Sequence, residues 1–361
     1  MKKVFVSGCY DILHGGHIEF FNQAKALGDY LIVCFDGDAS LELHKHKKSS
    51  LPEAHKIRLL QSLSMVDEVV VGDYLKELGL DFKEHFLRIK PDVLAVTGDD
   101  KYTSEKIALC QEIGAQYVVL PKTLNFEKIS TTEIINYIKA PAEIALRVDF
   151  AGGWLDVPKF SRDNAYIVNC TITPTVSLNK WDYEMGGGLG GSAAYAVLTG
   201  KNSIESELDL GVGWQDPAVI LETGLCVWKS GLKPELDFKV RPDFLTGKMA
   251  LLWTGNNHTT YKNVDIARDF NLIQHASLVA REAVNPLNFD YNKLCEAVKM
   301  SYRVQIGEGM LPLPCAGEIA KKYGGGGHGG YALYLFANQD ERDKFLEQEN
   351  TLAIEPYIKK Y

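Results

Sequence analysis

His14 and His17 stand three residues apart, with Gly15 and Gly16 between them, where a short apolar strand gives way to a helical stretch. Imidazoles so spaced can both face one triphosphate, while the glycines let backbone N–H groups come close to it. Nucleotidyl and phosphoryl transfer ask a protein mainly for positioning and for neutralisation of charge in the transition state, which imidazole donors can supply. A metal site is the other use of such a pair, but few further ligands lie nearby in the sequence. A second set of residues follows later. Arg147-Val148-Asp149-Phe150-Ala151-Gly152-Gly153-Trp154-Leu155-Asp156 comes first, then Gly186–Gly191 running into Ser192-Ala193-Ala194, and finally the cluster Gly324–Gly330. A glycine run that ends in Ser-Ala-Ala and continues as an apolar helix reads as a loop cradling phosphate at a helix N-terminus.

These residues need elements to hold them. Up to about residue 140 the chain alternates strand and helix patterns: strands at Lys3–Ser7, Tyr30–Phe35, Val66–Val71, Asp92–Val96 and Tyr117–Leu120, with helices at Gly16–Leu27, His55–Leu63 and Glu105–Ile113. Gly28 reads as the C-cap of the first helix. This alternation implies right-handed βαβ units and a parallel sheet, whose ligands bind at the carboxyl ends of the strands. After Ala140-Pro141 the pattern changes. Residues 145–178 are rich in β-formers, and beyond the apolar continuation of the second glycine run, helices are expected only late, at Ala267–Ala283 and Tyr291–Met300. A last strand is expected at Tyr331–Phe336.

Composition narrows the function classes. A net charge of −8 argues against nucleic acid or a polybasic membrane surface as partner. No run approaches the ~18 apolar residues of a membrane span, and the N-terminus does not read as a signal peptide. Seven cysteines without a C-x-x-C pair fit free thiols in a reducing cytoplasm.

The segment Gly8-Cys9-Tyr10-Asp11-Ile12-Leu13-His14-Gly15-Gly16-His17 resembles the cytidylyltransferase family. So do Leu27–Val33, Val66–Val69, Thr97-Gly98-Asp99-Asp100 and Ile129-Ser130-Thr131-Thr132-Glu133-Ile134, and the resemblance covers roughly residues 1–140. It implies catalysis by His14 and His17 and a nucleotide site that includes Gly8, Tyr10 and Asp11. It also implies Gly98 and Asp99 near the nucleotide, and Ser130, Thr131 and Thr132 holding the triphosphate at a helix start. Lys45 or Lys47, in the basic stretch His44–Lys48, would contact phosphates. Lysine stands at 56 and 122 where the family usually has arginine, which keeps the charge and loses the bidentate fork. Leu120-Pro121-Lys122-Thr123 is more like the CTP-using members and Gly8–Leu13 more like the ADP-heptose enzymes. CTP is favoured over ATP.

The three later elements, in their order, are similar to the GHMP kinases. The Ala-Gly-Gly-Trp form is most like the fucokinase and heptose-7-phosphate kinase branch, which phosphorylates an anomeric hydroxyl. The resemblance implies Asp216, in Gly213-Trp214-Gln215-Asp216, as the group that orients or deprotonates the attacking hydroxyl, and Arg147 as the stabiliser of phosphoryl charge. Gly188, Gly190, Gly191, Ser192 and Ala193 would form the phosphate loop, Ser192 and Glu205 would bind Mg²⁺, and Asp156 would bind sugar hydroxyls, with Gly153, Gly326 and Gly327 beside the substrate. The stretches on both sides of the phosphate loop are shorter than in that family.

The expected architecture is therefore an N-terminal Rossmann-like parallel sheet at 1–139, followed by an α+β GHMP-kinase-like domain at 140–361. The expected function is a bifunctional enzyme. A kinase uses ATP to make a sugar 1-phosphate, and a nucleotidyltransferase joins that product to CTP or ATP as an NDP-sugar for surface glycans. Mg²⁺, nucleotides and a sugar or sugar phosphate are the expected ligands, with neither nucleic acid nor membrane, and a homodimer is compatible. The alternative is a single-function cytidylyltransferase acting on a polyol phosphate such as glycerol 3-phosphate, with a non-catalytic second domain.

Overall fold

Strand β1 (Lys3–Gly8) sends Val4 and Val6 into one apolar core and Phe5 into another, because successive side chains of a strand leave opposite faces. The computed structural model describes residues 1–46, 48–121, 128–258, 265–327 and 329–359. They divide into a first unit, Met1–Asn136, and a second, Tyr137–Tyr361.

In the first unit β1 lies at the middle of a five-stranded sheet with β2 (Tyr30–Asp36), β3 (Glu68–Gly72), β4 (Val93–Thr97) and β5 (Gln116–Leu120). The order is β3-β2-β1-β4-β5 and every pairing is parallel. The apolar run of β2 is buried on both sides: Leu31, Val33 and Phe35 face one core, Ile32 and Cys34 the other. The connecting helices are α1 (Gly15–Lys25), α2 (Asp38–Lys45), α3 (Glu53–Gln61), α4 (Lys83–Ile89) and α5 (Thr103–Ile113), with α6 (Thr131–Lys139) last. The strand order reverses between β1 and β4, which opens a crevice at their carboxyl ends.

Two local expectations change. Helix α1 stops at Lys25 with Ala26 as its cap. Gly28 is required for another reason: a Cβ there would stand 2.6 Å from the Lys2 carbonyl oxygen. The basic stretch at 44–48 is partly helical, since α2 runs to Lys45 and ends at His46 in the left-handed region, φ 48°. The Lys45 side chain, Lys47, Lys122, Thr123 and His328 lie outside what is described.

The second unit is an α+β fold around an eight-stranded antiparallel sheet, ordered β11-β12-β10-β13-β7-β8-β9, with β6 also paired to β7. The strands are β6 (Ile144–Ala151), β7 (Tyr166–Val176), β8 (Leu225–Lys229), β9 (Glu235–Val240), β10 (Met249–Trp253), β11 (Ala320–Tyr323), β12 (Tyr331–Leu335) and β13 (Thr351–Pro356). Helices α7 (Gly191–Leu198), α8 (Ser203–Asp209) and α9 (Gln215–Glu222) come before β8; α10 (Phe270–Ala283), α11 (Tyr291–Gly307) and α12 (Gln339–Phe345) come later. The core joins Leu146, Val148 and Phe150 of β6 to Ala276 and Ala280 of α10 and to Leu294 and Val298 of α11. Helix α10 begins at Phe270, not Ala267, because the Asp269 carboxylate accepts from the N–H groups of Asn271 and Leu272. Helix α11 runs seven residues past Met300. No helix among the described residues is long and apolar enough to cross a membrane.

Candidate active sites

The crevice of the first unit is built at the ends of β1 and β4 and the start of α6. His14 caps α1 in extended backbone, and its ring stacks on that of His17 with centroids 3.9 Å apart. Tyr10, at φ 42°, is buried edge-on against His17 at 5.1 Å and Phe21 at 5.0 Å. It therefore supports His17 from behind. Gly8 makes room for it, since a Cβ there would stand 2.9 Å from the Tyr10 ring. The Nδ1 atom of His14 is buried with no hydrogen-bond partner among the described residues. Burial holds this imidazole below its ordinary pKa, against the pull of Glu133. At neutral pH the ring is uncharged, with one N–H to donate.

Asp11 is buried and binds the chain beyond α2: it accepts from Ser49 Oγ at 2.9 Å, Ser50 N at 2.6 Å and Ser50 Oγ at 2.9 Å. Its carboxylate thus holds Ser49 and Ser50 in place. Ser130 and Glu133 form a reciprocal capping box at α6, with Ser130 N donating to Glu133 at 2.6 Å and Glu133 N to Ser130 Oγ at 3.2 Å. Thr131 Oγ1 donates to the Ile12 carbonyl at 3.2 Å, which ties this helix start to the histidine loop, and Thr132 is exposed there. Gly98 and Asp99 form the exposed turn after β4, where Thr97 Oγ1 donates to Asp99 at 2.6 Å. Lys56 is fully buried, 4.7 Å over the Phe35 ring and 3.7 Å from Asp38 Oδ1.

The second unit encloses a cavity of about 710 Å³. Arg147 and Asp149 leave the same face of β6, two residues apart. The Arg147 guanidinium donates to Asp216 Oδ1 at 2.6 Å, to the Gly188 carbonyl at 3.1 Å and to the Gly324 carbonyl at 2.7 Å. One side chain thereby joins all three glycine-bearing elements to Asp216. Trp214, fully buried with its indole N–H on the Gly231 carbonyl, anchors the start of α9 and so fixes Gln215 and Asp216. Gly188 and Gly190 take φ of 71° and 78°, a region glycine enters without strain. Gly190 caps α7, whose first turn carries Gly191, Ser192 and the buried Ala193.

Ser192 Oγ donates to Glu207 Oε1 at 2.5 Å. Glu205, the residue expected to bind metal, is exposed in the first turn of α8, and Glu207 faces the cavity instead. Burial, with Asp216 nearby, pushes Glu207 up to about 7. Asp156 is buried and accepts from Gln215 N at 3.0 Å and Gln215 Nε2 at 3.3 Å; burial raises it to about 7. Lys322, which no motif marks, pairs with Asp149 inside the cavity. Gly153 lies against Asp149, and Gly326 against Trp154, where a Cβ would fall 2.0 Å from the indole. Gly327 is buried at φ 138°. No group of three or more His, Cys, Asp or Glu side chains among the described residues is placed to hold a metal alone.

Residues 5–137 match the family described as cytidylyltransferase-like. An FAD synthase of Thermococcus onnurineus is 31% identical over 139 residues, which are 38% of this chain and 90% of the relative. The bifunctional protein HldE of Helicobacter pylori is 40% identical over 140 residues, but the match spans only 28% of that protein. A mevalonate kinase crystal structure aligns with 60% of this chain and 97% of its own, at 13% identity and a TM-score of 0.44.

Proposed function

Because the chain belongs to the cytidylyltransferase-like family through its first unit, we propose that this unit's nucleotidyl transfer consumes a sugar 1-phosphate which the second unit makes as a kinase. A phosphate oxygen of the sugar 1-phosphate attacks the α-phosphorus of CTP or ATP, the bond to the β-phosphate breaks, and pyrophosphate leaves. His14 and His17 donate to the phosphate oxygens as charge shifts onto the leaving group, and α6 offers its first N–H groups.

In the second unit the observation that carries the reading is Arg147, bonded at once to Asp216 and to the two glycine elements. Asp216 accepts the proton of the sugar hydroxyl while that oxygen bonds to the γ-phosphorus, and ADP departs. Arg147 holds Asp216 in place through its 2.6 Å bond and balances charge on the transferred group. Ser192 and Glu207 suit a Mg²⁺ ion: a hydroxyl and a carboxylate already in contact match a metal that takes one or two protein oxygens beside substrate phosphates. The ion would neutralise phosphate charge. Seven free cysteines, five of them buried, support a cytoplasmic setting.

Incubation of the whole chain with ATP, CTP and a panel of free sugars should release ADP and pyrophosphate and yield an NDP-sugar. Pyrophosphate release only from supplied sugar phosphates would overturn the kinase assignment. A second reading follows from the FAD synthase match, in which one unit of this size spans nearly the whole relative. The first unit then works alone on a phosphorylated acceptor, such as a polyol phosphate, and the second unit is not catalytic.

A further inference from the structure

The cavity of the second unit is lined by six carboxylates, Asp149, Asp156, Glu184, Glu207, Asp216 and Glu308, against Arg147 and Lys322 as the described lining residues with permanent positive charge. Both cations are engaged, Lys322 with Asp149 and Arg147 with Asp216. Arg268, which stacks on Trp154 at 3.7 Å, pairs with Glu308 at 2.9 Å. A phosphate or carboxylate on the phosphoryl acceptor would therefore meet no uncommitted lysine or arginine among the described residues.

Two buried acceptors at this end of the cavity lack a donor among the described residues. Asp149 is 6% exposed, and its Oδ1 has no partner among the described residues. Gln215 turns its Nε2 to Asp156, which leaves its buried Oε1 without a donor. The two side chains meet around Gly153, where a Cβ would stand 3.0 Å from Asp149 Oδ2 and 3.8 Å from Gln215 Nε2. A side chain at position 153 would therefore crowd Asp149. Buried acceptors are destabilising unless something donates to them. Hydroxyls donate; ionised phosphates and carboxylates do not. Burial, and to a lesser degree the nearby Asp216 and Asp149 carboxylates, raises Asp156 to about 7.

We propose that this corner takes a neutral polyhydroxylated sugar, whose hydroxyls donate to Asp149 Oδ1 and Gln215 Oε1, and that it rejects sugars already bearing a phosphate or carboxylate. The proposal rests on the kinase reading of the second unit and names its acceptor class. It also places the unit in a reaction sequence. The product carries one phosphate, on the oxygen that attacked, so the first unit can use it without removal of a second phosphate.

The test is calorimetric titration of the whole chain with free mannose, fucose, galactose and manno-heptose, and separately with mannose 6-phosphate, heptose 7-phosphate and galacturonate. At least one free sugar should bind, with its charged counterpart about 100-fold weaker, the scale of an uncompensated like-charge contact. Asp149→Asn should weaken the free sugar by about 10-fold and leave ATP affinity within about 2-fold. Equal or tighter binding of a charged sugar overturns the proposal, as does the absence of binding by every free sugar. Should D149N lose its fold, the wild-type comparison decides alone. ADP release measured in parallel separates the two readings. Free-sugar binding without ADP release upholds the recognition and removes the kinase, whereas ADP release from sugar phosphates alone does the reverse.

Discussion

His14 combines an uncharged ring, a position at a helix start and a neighbour stacked at 3.9 Å. Replacing it with alanine should lower nucleotidyl transfer from a supplied sugar phosphate by about 10²–10³-fold, the usual loss for one transition-state donor. Pyrophosphate release measures this, and the melting temperature should hardly move. Asp156 shows the opposite balance. Its carboxyl titrates near 7 in the folded chain against an ordinary 3.8, so the folded state holds the proton more tightly than the unfolded one. Its contribution to stability therefore declines as pH rises from about 4 to about 7 and stays low above that. Asp156→Asn should raise the melting temperature at pH 8 and leave it nearly unchanged at pH 4. The shift sets an upper bound of about 4 kcal/mol on the gain, and sugar affinity should fall. Thermal melts across that range, on both proteins, check the sign.

At the scale of elements, glycines decide which segments can meet. Gly326 and Gly213 leave no room for a methyl group, which would fall 2.0 Å from the Trp154 ring and 1.7 Å from Asp156 Oδ2. Arg268 already lies over Trp154, so the indole cannot easily retreat. Gly326→Ala should lose about 1–3 kcal/mol in denaturant unfolding, as overpacked sites do, and should reduce ADP formation more than nucleotidyl transfer. The same scale explains what was legible in the sequence. Helix starts recur at each of the expected phosphate sites, at α1, α6 and α7, because such local signals need no knowledge of distant partners. Glu207 escaped because Glu205 and Glu207 point about 200° apart on one helix, and only the docking of α8 decides which faces the cavity. Asp149 was readable as a charge two residues from Arg147 on one strand face. Lys322 was not, since a lysine pair in a four-residue strand looks like a surface until its buried partners are known. Tyr10 and Asp11 stand in the expected motif, and their described contacts are with His17 and with Ser49 and Ser50.

For the whole molecule, the proposed kinase and nucleotidyltransferase sites, which lie on different folds, predict two separable activities. Asp216→Asn should abolish NDP-sugar formation from free sugar while formation from supplied sugar 1-phosphate continues at the wild-type rate. Chromatography of the nucleotide products distinguishes the outcomes, and an unchanged rate from free sugar would remove Asp216 from catalysis. The family match ends near the unit boundary, so the second unit must be judged by its own geometry.

That geometry turns on Arg147, whose three bonds reach residues 188, 216 and 324. A hub of this kind makes the site indifferent to the length of chain between its anchor points. Segments beside the phosphate loop can contract or grow, as long as their ends still return to one guanidinium. The stretches on either side of Gly186–Ser192, short as the GHMP-kinase resemblance reads them, are then compatible with an intact site, and natural variation should concentrate in the spans between the anchors and spare the meeting point.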